Sequence, residues 1–325
     1  MGKIFYTTLY STLLLSFLTT PVLAQNADSY ALDVDTPNGT IHVHAKIHDI
    51  QSGEVLCLPA FGQRFGEHLI TPSVVTPDRA TYDAHFDDAG CLHPQPLDEI
   101  HFNYTLKMDR LDGPHTWIAS ELSPRHDDHT LVFPGESLFI ERGANNSPST
   151  PHPTHVNVST PEHVVSTLIQ NTENSENLHL PQFTAENSFV LNRSYWVFGH
   201  FQRFIANTNH TTLQFVVDAA FKNTVDVMKR EFLQILDAYA AWMPNHTPRQ
   251  IAIFLFSTPF DAEYNHGFAR PSGIVLELGN AAAAQTSTRR ILMAHELFHL
   301  YNGEGLRFDP KQYPQTAWFR EGMTQ

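Results

Sequence analysis

His295-Glu-Leu-Phe-His299 places two imidazoles one helical turn apart, with a carboxylate next to the first. On a helix this spacing brings both rings to one face, where neutral nitrogens can hold a divalent metal and Glu296 can take a proton from a water on it. Zinc is the ion the donor set suits: two histidines, one further protein ligand and one open position make a hydrolytic centre. His295 and His299 are therefore the expected ligands and Glu296 the expected general base. The three-histidine version of this motif is excluded, because Asn302 and Gly305 occupy its glycine and third-histidine positions. Glu304 follows the helix into a Gly-flanked turn. Glu321, in Trp318-Phe-Arg-Glu321-Gly322, opens a second predicted helix after a Pro-punctuated loop and is the better third ligand.

The motif must ride on a helix, and its flanks supply one. Thr286-Ser-Thr288 offers capping hydroxyls and Gly303 and Gly305 stop signals, which predicts a helix over roughly 288–302. On a helical wheel Ile291, Met293, Ala294, Leu297, Phe298, Leu300 and Tyr301 cover most of the circumference, leaving a wedge with His295, Glu296 and His299. The expectation is a helix buried on nearly every side. Imidazoles and a carboxylate desolvated there are costly without a strong partner, which a divalent metal provides; a core histidine pair is the plainer alternative.

Two regions of different pattern precede this helix. From 25 to 189, short alternating runs such as Thr40-Ile-His-Val-His-Ala-Lys-Ile, His101-Phe-Asn-Tyr-Thr-Leu-Lys-Met and Thr130-Leu-Val-Phe lie between turn residues, predicting a β-sandwich-like domain. His42 and His44 fall on one strand face, with His48 further on. A second metal site there is the alternative to an exposed face in a histidine-rich chain, and the exposed face is the reading adopted. Residues 144–154 and 170–177 read as loops or linkers. Beyond 190, Phe221, Val225, Met228, Phe232, Ile235, Leu236, Tyr239 and Trp242 recur at helical spacing up to Pro244. Gln250 to Ser257 and Gly273 to Gly279 follow as buried strands, making the whole an α+β chain.

Residues 1–24 read as a secretory signal peptide, with Lys3, an apolar stretch from Leu9 to Leu18 and the small-residue exit Val22-Leu-Ala24. The stretch is too short and too interrupted for a stable membrane anchor. An exported, periplasmic or extracellular protein follows, and in an oxidising compartment Cys57 and Cys91, the two cysteines of the chain, are expected to pair. A net charge of −14 argues against nucleic acid as a partner. Nothing in the sequence specifies an oligomeric state.

His295-Glu-Leu-Phe-His-Leu-Tyr-Asn302-Gly303 together with Trp318-Phe-Arg-Glu-Gly-Met-Thr324 resembles the gluzincin zinc metallopeptidases, and within them the glycyl aminopeptidase family. The resemblance implies a thermolysin-like zincin domain over 190–325 behind the N-terminal β domain, with Zn²⁺ as cofactor and a peptide or protein as substrate. It gives Asn302 a hydrogen-bonding role beside the ligands. Family members carry a Gly-Gly-Leu-Glu-His-like segment whose glutamate holds the substrate's amino group; here the corresponding Asn265-His-Gly-Phe-Ala-Arg-Pro-Ser272 has no glutamate. Gluzincins also stabilise the oxyanion with a Tyr or His beyond the third ligand. The sequence ends at Gln325, so the catalytic domain is expected to be truncated and weakly active. A non-catalytic binding protein of gluzincin fold and a metal-dependent adhesion module are the rival readings.

Overall fold

The computed structural model describes residues 27–59, 67–75, 86–88, 90–108, 124–126, 130–143, 152–160, 162–170, 181–208, 211–218, 221–244, 247–257, 265–279 and 286–302. The expected signal peptide, residues 144–151 and 171–177 of the two expected loops, and Glu321 lie outside them; Thr154 and Gln170, expected at loop ends, are in strands.

Alternation builds the first layer. A seven-stranded sheet runs Ile169–Gln170, Gln182–Ala185, Thr154–Ser159, Asp28–Asp35, Thr40–Ile50, Leu97–Met108 and Glu67–Val75. Asp28–Asp35 pairs parallel with Thr154–Ser159 and antiparallel with Thr40–Ile50. Alternate residues of Asp28–Asp35, Thr40–Ile50, Leu97–Met108 and Thr154–Ser159 turn inward, among them Tyr30, Leu32, Ile41, Val43, Phe102, Tyr104 and Val156. His42 and His44 take the outward positions, in accord with the exposed-face reading. His48 breaks the alternation and is buried; its backbone N–H donates to Asp28 Oδ1 at 2.8 Å.

A four-stranded sheet, His163–Ser166, Tyr195–Gly199, Thr130–Pro134 and Arg125–His126, lies over that inner face. Leu131, Phe133, Trp196 and Phe198 share one core with the seven-stranded sheet. The two sheets form a sandwich, with Trp196 set edge-on to Phe139 and Phe183. Tyr195–Gly199 lies past residue 189 and yet is hydrogen-bonded inside this sandwich.

At one end, the strands Cys91–Leu92, Leu56–Cys57 and Glu141–Arg142 form a three-stranded patch in which Cys57 opposes Cys91 and is disulfide-bonded to it. Arg142 donates from Nε and Nη2 to the Glu54 carboxylate at 2.6 and 3.0 Å and from Nη1 to Asp28 at 2.9 Å. Three buried charges thus satisfy one another, which is the condition for tolerating them in an interior.

A five-stranded sheet follows, in the order Gln202–Asn207, Thr212–Val217, Gln250–Ser257, Gly273–Leu278, Asn265–Arg270. The three central strands are parallel and both edges antiparallel. The helix Val225–Trp242 connects Thr212–Val217 to Gln250–Ser257, the crossover that parallel neighbours require. Leu213, Phe215, Ile253 and Leu276 pack against this helix and against the helix Thr286–Asn302. Val216, Phe254, Phe268 and Val275 pack on the opposite face against Val132, Val165, Tyr195 and Val197 of the four-stranded sheet. The layers are therefore sheet, sheet, sheet, helices, and the central strands of the five-stranded sheet are covered on two faces, whereas its edge strand Gln202–Asn207 leaves Ile205 exposed. The runs Ile251 to Phe256 and Gly273 to Leu278, apolar except for Glu277 and buried throughout, are what a central position demands.

Candidate metal centre

The helix Thr286–Asn302 is tied to its neighbour helix near its start and at its middle. Arg289 donates from Nε and Nη2 to the two carboxylate oxygens of Glu231, each at 2.9 Å, in a buried bidentate pair with the helix Val225–Trp242. Tyr239 of that helix donates its hydroxyl to the Ala294 carbonyl at 2.9 Å, one residue before His295. Burial and the nearby Tyr301 push the Tyr239 hydroxyl above its ordinary value, so it keeps the proton it donates. Met293, Leu297 and Leu300 anchor the helix on the sheet, while Phe298 stacks on Trp242 with ring centres 5.8 Å apart.

Within this frame His295, Glu296 and His299 present ligand atoms that all lie within 4.8 Å of one another. The two Nε2 atoms are 3.1 Å apart. Two nitrogens bound at 2.0–2.1 Å to a tetrahedral zinc would stand about 3.3 Å apart, so the pair fits that ion as it is. Glu296 Oε1 is 4.0 Å from His295 Nε2. Glu296 is 3% and His299 7% exposed, while His295 is half-buried and forms the solvent side of the group. Among the described residues it is the single cluster of three or more His, Cys, Asp or Glu able to hold a metal. His42 and His44 enter no such cluster, and both cysteines are in the disulfide.

One expectation needs correcting. The helix is not buried on nearly every side: Ile291 is 71% exposed, and Leu292, Ala294 and His295 are only partly covered. The wheel counted apolar residues but could not show that the sheet and the helix Val225–Trp242 cover only part of the circumference. Desolvation at the centre is therefore a property of Glu296 and His299 rather than of the whole helix.

Gly267 is the neighbour that sequence reading missed. A Cβ built on it would stand 2.6 Å from Glu296 Cγ and 2.8 Å from Oε1, so the edge strand Asn265–Arg270 lies directly against the carboxylate side chain. A glycine inside a strand pattern signals close approach of something to the backbone, and that signal was available. The stretch that departs from the family segment is this edge strand; among the described residues its outer edge has no partner strand in the sheet. Glu277 lies on the adjacent strand, 3% exposed and opposite His266 in register. Glu263, Glu304, Glu321 and the Asn302 side chain fall outside the described residues.

No protein-family model matches the chain, and no curated protein sequence does. Among solved structures it is similar to an aminopeptidase N family protein from Idiomarina loihiensis, with a TM-score of 0.70 and 14% identity over 91% of this chain and 53% of that one. It is also similar to an M1 zinc metallopeptidase from Deinococcus radiodurans, with a TM-score of 0.50 and 13% identity over 86% of this chain and 64% of that one. The chain thus spans between half and two thirds of the length of these proteins. No helix among its described residues is long and apolar enough to cross a membrane. One of these structural neighbours is an aminopeptidase N family protein and the other an M1 zinc metallopeptidase, and what this chain shares with them at this identity is a fold.

Proposed function

We propose that the chain is an exported zinc-dependent metallopeptidase that hydrolyses peptide bonds in an aminopeptidase-like manner. The observation that carries this reading is the convergence of the His295 and His299 Nε2 atoms, 3.1 Å apart, beside a Glu296 carboxylate buried under Gly267. The donor set of two imidazoles and a carboxylate base is the one zinc uses for hydrolysis. Glu321 completes the ligand set in this reading, within a thermolysin-like domain that follows the sandwich. The disulfide agrees with an oxidising destination.

When bound, zinc supplies Lewis-acid activation of water and of the scissile carbonyl. The protein's own part falls to Glu296. Packed between the helix and the edge strand, its carboxylate accepts the proton of the attacking water and returns it to the departing amine. The low exposure of Glu296 keeps that proton from bulk solvent, and Gly267 leaves its side chain the room to sit there. Partial exposure of His295 leaves the group open on the side from which a peptide arrives.

Hydrolysis of unblocked dipeptides and of aminoacyl anilides by the purified chain, with Glu296→Gln as the control, tests the reading. The substitution should lower the rate about 10²–10⁴-fold, the contribution typical of a positioned general base. Equal rates in the two proteins would overturn it.

A further inference from the structure

Among the described residues the edge strand Asn265–Arg270 has a hydrogen-bonded neighbour strand on one side, so its position depends on what its side chains meet above and below the sheet. Successive residues of a strand point to opposite faces. Gly267 faces the helix layer and meets Glu296, and Ala269 packs in the same helical core. Phe268 and Arg270 face the other way, into the N-terminal sandwich. The Phe268 ring stands edge-on to Tyr195 of the sandwich at 5.5 Å. Arg270, 7% exposed, donates from Nη2 to Glu136 Oε1 at 3.1 Å, and its guanidinium lies 5.3 Å over the Phe268 ring. Glu136 belongs to the short 3-10 turn Gly135–Ser137, which directly follows a strand of the four-stranded sheet. Gly135 fixes that turn, since a Cβ there would collide with the carbonyl oxygens of Leu191 and Asn192.

We propose that Glu136, a residue of the sandwich remote in sequence from the motif, is a positioning residue for Glu296, acting through Arg270 and the edge strand that carries Gly267. The inference rests on the reading of Glu296 as general base. The sandwich then serves as the backing of the catalytic strand: Glu136 holds Arg270, the strand keeps its height against the helix, and Gly267 sets where the Glu296 carboxylate can lie. Among the described residues no strand pairs with its outer edge, so its height against the helix layer is set by these side-chain contacts. Burial holds the Glu136 carboxyl above its ordinary value even though Arg270 pulls it down, so its ionisation does not stabilise the fold. The pair therefore makes better sense as a fixture than as a source of folding energy.

The test compares Glu136→Ala, Glu136→Gln and Arg270→Gln with the wild-type full chain. In Glu136→Ala, kcat should fall about 10–100-fold, the scale of loss for a misplacement approaching 1 Å, with KM changed less than about threefold. Glu136→Gln, which keeps an oxygen able to accept from Arg270, should recover most of the rate. Amide exchange across Asn265–Arg270 should rise about tenfold in Glu136→Ala and Arg270→Gln, with Thr130–Pro134 still protected. Combining Glu136→Ala with Arg270→Gln should add nothing to the larger single effect. Wild-type kcat in Glu136→Ala, or faster exchange without loss of rate, overturns the proposal, and Arg270→Gln decides it if Glu136→Ala does not fold. An inactive wild-type chain would instead count against the peptidase reading, and the exchange measurement would still decide whether Glu136 holds the strand.

Discussion

In the seven-stranded sheet, Thr40–Ile50 sends Ile41, Val43, Ala45 and Ile47 to the core and His42, His44 and Lys46 to solvent; in the five-stranded sheet, Gln250–Ser257 buries every residue from Ile251 to Phe256. The first strand has a wet face and the second, at the centre of its sheet, has none. A wet face leaves half of each strand free to vary, and it collects histidines that assemble no metal cluster. A strand packed on both faces is set from above and below, and the candidate centre is built against the edge of the sheet whose central strands are of this kind. Precise placement of Glu296 thus depends on two cores, the helical one behind Leu297 and the inter-sheet one around Phe254, Phe268 and Tyr195.

The sharpest way to break this comparison is to truncate one residue of each kind. Phe254→Ala empties a fully buried position between two sheets and should cost about 3–5 kcal/mol in denaturant unfolding. His44→Ala, on the wet face, should stay within about 0.5 kcal/mol. Similar costs for the two would remove the distinction.

Next in size is the disulfide. Cys57 and Cys91 close a loop with a sequence separation of 34, for which the loop-entropy model gives about 3–4 kcal/mol. Cys57→Ser should lower the unfolding midpoint by a corresponding amount and leave any hydrolytic rate in the surviving folded fraction unchanged, since the bond lies in the sandwich.

Gly267→Ala sharpens the comparison from the other side. The added methyl meets the Glu296 side chain rather than backbone, so the carboxylate can swing away at small cost in stability. The rate should nevertheless fall about tenfold or more, read as kcat with thermal stability measured in parallel. A stable variant with full kcat would show that the carboxylate position is not set by the strand.

The smallest effect is expected from acid on the wet face. Burial pushes the Glu99 carboxyl up, but hydrogen bonds from Lys46 and His101, with their charges, bring it below its ordinary value of 4.5. A depressed carboxyl contributes stability above its unfolded value and loses it as pH falls through the folded one. Removing Glu99 with Glu99→Gln should thus weaken the loss of stability below about pH 4.5, slightly, because the group is partly open to solvent. An unchanged acid limb would show that these contacts contribute nothing.

Much of this was legible in the sequence. Alternation located the sandwich, the recurrence from Phe221 to Trp242 located a helix, observed as Val225–Trp242, and the continuous runs marked strands buried on both faces. The motif spacing alone placed His295 and His299 on one face. What escaped were features that depend on contacts distant in sequence. Tyr195-Trp-Val-Phe is apolar throughout, so nothing in it announces that Trp196 and Phe198 serve one core and Tyr195 and Val197 another. Arg289 and Glu231 are 58 residues apart and Arg270 and Glu136 are 134 apart, with no local pattern joining either pair. Ile291 misled because a wheel shows hydrophobicity without showing how far the neighbouring layers reach.

Metal content tests the central claim most directly. Protein purified without added metal should carry close to one equivalent of zinc by elemental analysis, and His299→Ala, folded by circular dichroism, should carry almost none. Full retention of zinc in that variant would contradict the account, because the ion would then be held somewhere other than between His295 and His299.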